Sequence, residues 1–102
     1  MIASKITHRY AKALLDLAIA ENHLDTCFND MQLIEKVCSD NPDLVLLLKS
    51  PIINTDKKIG IINEVFNDKL SKITSLFIQI ITTKKRESLI PLIAQNFIRI
   101  HK

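Results

Sequence analysis

The apolar residues of this chain recur at helical spacing over most of its length, and the breaks between the periodic stretches predict six helices. The first runs from about Ser4 to Glu21, with Ser4 as its cap. At about 100° per residue, Ile6, Tyr10, Ala13 and Leu17 share one face. Ala11, Leu15 and Ala18 share another, and Leu14 lies between the two. These stripes cover more than half of the circumference, whereas a surface helix in a small monomer needs only one. Two readings stay open. The helix is packed on both sides by its own domain, or one stripe awaits a partner.

The second helix, about His23 to Ser39, places Leu24, Cys27, Phe28, Met31, Ile34 and Cys38 on one face. Asp40-Asn41-Pro42 stops it, since proline cannot continue a helix and Asn41 suits a cap. Leu44 to Leu48 forms a third helix of two turns, ended by Ser50-Pro51. Asn54 or Thr55 caps a fourth, whose stripe is Ile59, Ile62, Val65 and Phe66. Beyond Asn67-Asp68 a fifth helix, about Lys69 to Thr83, has an apolar arc of Leu70, Ile73, Leu76, Phe77, Ile80 and Ile81, with Ile78 outside it. Lys84-Lys85-Arg86 follows at its C-terminal end, a solvated turn whose cations complement the helix dipole. The sixth helix, about Glu87 to His101, carries Leu89, Ile90, Ile93, Ala94, Phe97, Ile98 and Ile100. Pro91 falls in its first turn, where a missing N–H costs little.

Composition narrows this to an all-α fold. A chain of 102 residues is one domain, here 1–102, and its only glycine is Gly60. Phosphate loops, dinucleotide fingerprints and calcium loops need more glycine than that. No Asn-Gly or Asp-Gly pair is present to turn a tight hairpin. The net charge of +3 permits a nucleic-acid partner without arguing for one. No stretch approaches the length of an apolar membrane span, and Met1-Ile2-Ala3-Ser4-Lys5 has no signal-peptide core, so the protein is expected to work where it is made.

Chemistry is sparse. Cys27 and Cys38 lie on one predicted helix, roughly 16 Å apart, too far for a disulfide, and read as reduced core residues. His8, His23 and His101 are scattered, with no CxxC or HxxxH pair to gather a metal, and no cofactor is implied. Asp16, Asp25, Asp30, Glu35, Asp56, Glu64 and Glu87 read as solvated charge at helix ends and on outer faces. No nucleophile is paired with a base, so no catalytic residue is assigned.

The segment Arg9-Tyr10-Ala11-Lys12-Ala13-Leu14-Leu15-Asp16-Leu17-Ala18 resembles the opening of the δ subunit of F-type ATP synthases, the equivalent of the mitochondrial oligomycin-sensitivity-conferring protein. The rest is similar in the same order. Asn41-Pro42-Asp43-Leu44 leads to Leu47-Leu48-Lys49-Ser50-Pro51-Ile52-Ile53, like the family's helix that ends in a Ser-Pro turn. Lys57-Lys58-Ile59-Gly60-Ile61-Ile62-Asn63-Glu64-Val65-Phe66 looks like its fourth helix. Phe77-Ile78-Gln79-Ile80-Ile81 and Lys84-Lys85-Arg86-Glu87-Ser88-Leu89-Ile90-Pro91-Leu92-Ile93 resemble its fifth helix, basic turn and sixth helix.

The resemblance implies a six-helix bundle that acts as the N-terminal domain of a stator protein, non-catalytic, at the cytoplasmic face of a bacterial inner membrane without inserting in it. A groove between the first and fifth helices would accept the amphipathic N-terminal helix of an ATP synthase α subunit. By the same resemblance the groove residues are Ile6, Tyr10, Ala13, Leu14, Leu17, Ile73, Leu76, Ile80 and Thr83, with Phe77 and Ile81 turned inward. Peripheral-stalk b subunits would be reached only through the family's second, C-terminal domain, which these residues do not include. The competing reading is a helical RNA-binding domain of the antitermination-factor type, using Lys57, Lys58, Lys84, Lys85 and Arg86. Against it stand the modest charge, the single tyrosine and the absence of any basic run longer than three, so no nucleic acid is expected.

Overall fold

Six helices and one short 3-10 turn make up the computed structural model, which describes residues 2–101. In chain order they are α1 (Ile2–Ala20), α2 (Leu24–Asp40), α3 (Pro42–Lys49), α4 (Thr55–Phe66), α5 (Lys72–Thr83), the 3-10 turn Glu87–Leu89, and α6 (Ile90–His101). Among the described residues there is no strand.

Side-chain caps fix the starts of α4 and α5. Asn54 opens α4, its side chain accepting from the Lys57 amide at 2.8 Å. α5 begins three residues later than the apolar pattern predicts. Asn67 and Asp68 take left-handed backbone (φ 38 and 65), so the helix cannot start before Ser71, whose hydroxyl caps Thr74. α1 is already helical at Ile2, so Ser4 lies within it and not at its cap. Asn41 occupies the start of α3, yet its side chain turns back and donates to the Val37 carbonyl at the end of α2. The sixth helix is entered through the 3-10 turn, which leaves Pro91 in the first turn of α6.

α6 packs along both α1 and α2, and the centre of the core is their shared contact. Ala11, Leu14 and Ala18 of α1, Cys27, Met31 and Ile34 of α2, and Ile93, Ala94 and Phe97 of α6 are fully or almost fully buried there. Ile62, Phe66, Ile78 and Ile81 extend the core toward α4 and α5, and Leu48 toward α3.

α5 is rotated from the expected arc. Ile78 is buried, while Leu76 and Ile80 are exposed. The reason lies in two threonines that apolar counting ignores. Thr74 and Thr82 face inward with their hydroxyls satisfied, Thr82 by the Ile78 carbonyl at 2.8 Å and Thr74 by Ser71 and the Cys27 sulfur. Their burial turns the helix so that Ile78 joins them.

Three charges expected on the surface are inside. Lys58 and Glu87 are buried and paired, Nζ to Oε2 at 2.5 Å, and Lys58 also donates to the Leu48 carbonyl at 3.1 Å. Glu87 is thus tied to α4, not solvated, and its Oε1 has no hydrogen-bond partner among the described residues. Asp30 of α2 is buried as well, and its Oδ2 accepts from the amide and hydroxyl of Ser71.

Candidate functional site

α1 leans on α6 and α2, whereas α5 leans on α2, α4 and the 3-10 turn. Where the two helices approach, the ring of Tyr10 meets that of Phe77 edge-on, with centroids 6.3 Å apart and planes at 74°. Arg86, just beyond α5, donates from Nη1 to the Tyr10 hydroxyl at 2.7 Å and lies 5.8 Å above the Tyr10 ring. A hydrogen bond to the hydroxyl, with the cation this close to the ring, ties the guanidinium to α1.

On both helices most of the expected groove residues are exposed or half-exposed. On α1, Ile6 and Tyr10 are half-buried and Ala13 is exposed, with Leu17 44% exposed. On α5, Ile73 is half-buried, Leu76 is 54% and Ile80 53% exposed, and Thr83 is exposed with its hydroxyl donating to the Gln79 carbonyl. Leu14 is the exception. It is fully buried among Ala11, Ala18 and the α6 core, so no partner can touch it. Phe77, expected to turn inward, is half-buried against Tyr10, while Ile81 is in the core.

Leu76 and Ile80, at i and i+4 on α5, and Leu17 on α1 are exposed apolar side chains on the two helices that the Tyr10–Phe77 contact joins. Such surfaces mark interaction sites. The other exposed apolar residues, Ile19, Leu46, Ile52, Val65 and Leu92, are spread over other elements and faces.

Nothing in the geometry adds chemistry. Cys27 is pushed up from its ordinary value of 9.0 by burial, opposed by the Thr74 hydrogen bond and reinforced by nearby Asp30. Cys38 is pushed up to about 11, by burial first and by Glu35 second. Among the described residues no cluster of His, Cys, Asp and Glu could hold a metal, and no helix is long and apolar enough to cross a membrane. Two hollows remain. A cavity of about 90 Å³ between α4 and α5 is floored by Ile62, Phe66 and Ile78. A wider one of about 530 Å³ beside Pro51 is bordered by Ile52, Lys85 and the already paired Lys58 and Glu87.

Residues 6–102 match the family described as ATP synthase delta (OSCP) subunit. The chain belongs to that family. Among its relatives, the ATP synthase subunit delta of Chlorobaculum parvum is 39% identical over 97 residues, covering 95% of this chain and 54% of the relative. That of Cytophaga hutchinsonii is 36% identical over 99 residues, covering 97% and 54%. The chloroplastic ATP synthase subunit delta of Ochrosphaera neapolitana is 28% identical over 100 residues, covering 98% and 56%. The chain thus spans about half the length of the curated relatives it matches.

Two features of this delta-family chain escape sequence reasoning. Arg86 reads as a solvated turn residue, because its partner Tyr10 lies 76 positions away. Lys58 reads as an exposed cation, because its partner Glu87 lies 29 positions away. The burial of Lys58 also removes one of the cations on which a phosphate-binding surface would depend.

Proposed function

We propose that this domain is the head-docking part of a non-catalytic, peripheral-stalk subunit of an F-type ATP synthase, and that the α1–α5 trough receives the N-terminal helix of an α subunit. The observation that carries the reading is that α1 and α5, joined by the Tyr10–Phe77 ring contact, both leave large apolar side chains exposed: Leu17 on α1, and Leu76 and Ile80 on α5. An amphipathic helix with apolar anchors at i, i+3 and i+7 fits such a trough, and its burial would remove side chains that otherwise remain in water.

The role is mechanical. Rotation of a central rotor drags the catalytic head unless something static holds it, and a helix clamped in this trough is one end of that restraint. The other end, contact with the b subunits of the stalk, belongs in this proposal to a second domain outside these residues. The complex is placed at the cytoplasmic face of a bacterial inner membrane, with this domain peripheral.

The test is calorimetry with a peptide from the N-terminus of the cognate α subunit. Ala13→Asp puts a charge where the visiting helix must pack, and binding is expected to fall at least about a hundredfold. Thermal unfolding should barely move, since Ala13 is exposed in the free domain. Lys57→Ala, at an exposed position on α4, should leave binding unchanged. Undiminished binding by Ala13→Asp sinks the groove assignment. The nucleic-acid reading is disfavoured because Lys58, one of its cations, is buried and neutralised by Glu87.

A further inference from the structure

The two ends of α5 differ in charge. Around its N-terminal end the exposed Lys69 and Lys72 stand with two carboxylates: Asp68 in the preceding turn, and Asp30, which reaches across from α2 to the Ser71 cap. Around its C-terminal end Lys84, Lys85 and Arg86 follow one another, all exposed. The next carboxylate in the chain, Glu87, is buried and already neutralised by Lys58. One end is balanced; the other holds three uncompensated cations.

These cations are not consumed by the end of their own helix. The carbonyls of Ile80, Ile81 and Thr82 accept from the backbone amides of Lys84, Arg86 and Lys85. The side chain of Arg86 turns away from them, onto the Tyr10 ring at the edge of the trough. Only Nη1 is used there, and a guanidinium has five N–H donors, so it can still bind a carboxylate in the trough.

We infer that the groove is polarised and selects, within the docking proposed above, an amphipathic helix whose Asp or Glu residues lie over the C-terminal end of α5, against Arg86 and within the field of the neighbouring Lys84 and Lys85. Orientation follows. Acidic residues favour the first turn of a helix. A visitor built that way places its N-terminus at Arg86 and runs antiparallel to α5. The apolar stripe supplies affinity, and the charged end supplies direction.

The test uses two synthetic peptides with one apolar stripe, differing only in a Glu pair or a Gln pair in the first turn. At about 0.05 M salt the Glu peptide should bind roughly threefold to tenfold tighter, and the gap should close near 0.5 M. Arg86→Ala should abolish the gap while the Gln peptide still binds. Because Arg86→Ala also releases Tyr10, Lys84→Ala with Lys85→Ala serves as a second variant that leaves the aromatic floor intact and should narrow the gap. A nitroxide on the acidic end should broaden the amide signals of Lys84, Lys85 and Arg86, not those of Lys69 and Lys72. Equal binding of the two peptides at low salt, or broadening at Lys69 and Lys72, overturns the polarity and leaves the groove standing. Failure of both peptides and of the cognate α-subunit peptide to bind overturns the docking reading, and this inference with it.

Discussion

Replacing Lys58 by methionine is the sharpest probe of what holds the α3–α4 side of the bundle. The side chains of Lys58 and Glu87 are 5% and 10% exposed, and the ammonium also satisfies the Leu48 carbonyl. Methionine fills much the same volume but leaves the Glu87 carboxylate buried without a countercharge. Breaking a buried pair from one side costs about 3–5 kcal/mol, because the remaining charge keeps its desolvation penalty. For a domain of this size each kcal/mol lowers Tm by about 4–8 °C, so a fall of roughly 15–30 °C is expected. That is a large share of the roughly 5–15 kcal/mol that stabilises a typical domain. Urea unfolding followed by circular dichroism gives the number directly. Lys58→Met with Glu87→Leu completes the cycle, and the double variant should lose less than the sum of the singles by at least about 2 kcal/mol. If either single substitution costs under about 1 kcal/mol, as an exposed pair would, the pair is not buried in solution and the reasoning fails.

Gly60→Ala should raise stability by about 0.5–1 kcal/mol, because an added Cβ meets nothing within 4 Å and glycine weakens a helix interior; a lower Tm would contradict this. Asp30→Ala removes the acceptor for both Ser71 donors, and should cost about 1–3 kcal/mol while amide exchange in the first turn of α5 speeds up ahead of the rest. Cys38 should react slowly with a thiol reagent at neutral pH, faster as pH climbs toward about 11; rapid native labelling at pH 7 would contradict its burial. Since the folded state holds that proton more tightly, the stability it confers is intact below 9.0 and lost as pH rises through about 11, a slope that Cys38→Ala should remove.

The helix count was legible because each break carries its own chemistry: Asn41-Pro42, Ser50-Pro51, Asn54 and Asn67-Asp68 all stop or start helices where the pattern predicts. The start of α5 was not, since Leu70 stays in phase with the apolar arc and hides the Ser71 cap one residue on. The excess apolar surface of α1 was visible as a second stripe. That α5 supplies the facing wall is a matter of resemblance, as hydropathy alone gives Ile78 and Leu76 the wrong sides. Leu14 lies on the boundary between two stripes in projection, and only packing against α6 assigns it to the core. Lys58, Glu87 and Asp30 look like any exposed charges until partners 29 and 41 positions away arrive.

α1 and α5 share α2 as a support but otherwise rest on different elements, and the Tyr10–Phe77 ring contact and the Arg86–Tyr10 hydrogen bond bridge them. Parting each of these costs on the order of 1 kcal/mol, far less than opening the buried cluster behind either helix. The seam is therefore softer than the core behind it. A helix wedged into it and pulled sideways would spread the walls elastically before any core residue met water. A rigid clamp would pass each jolt to its own core; in the proposed docking this seam would act as a compliant jaw.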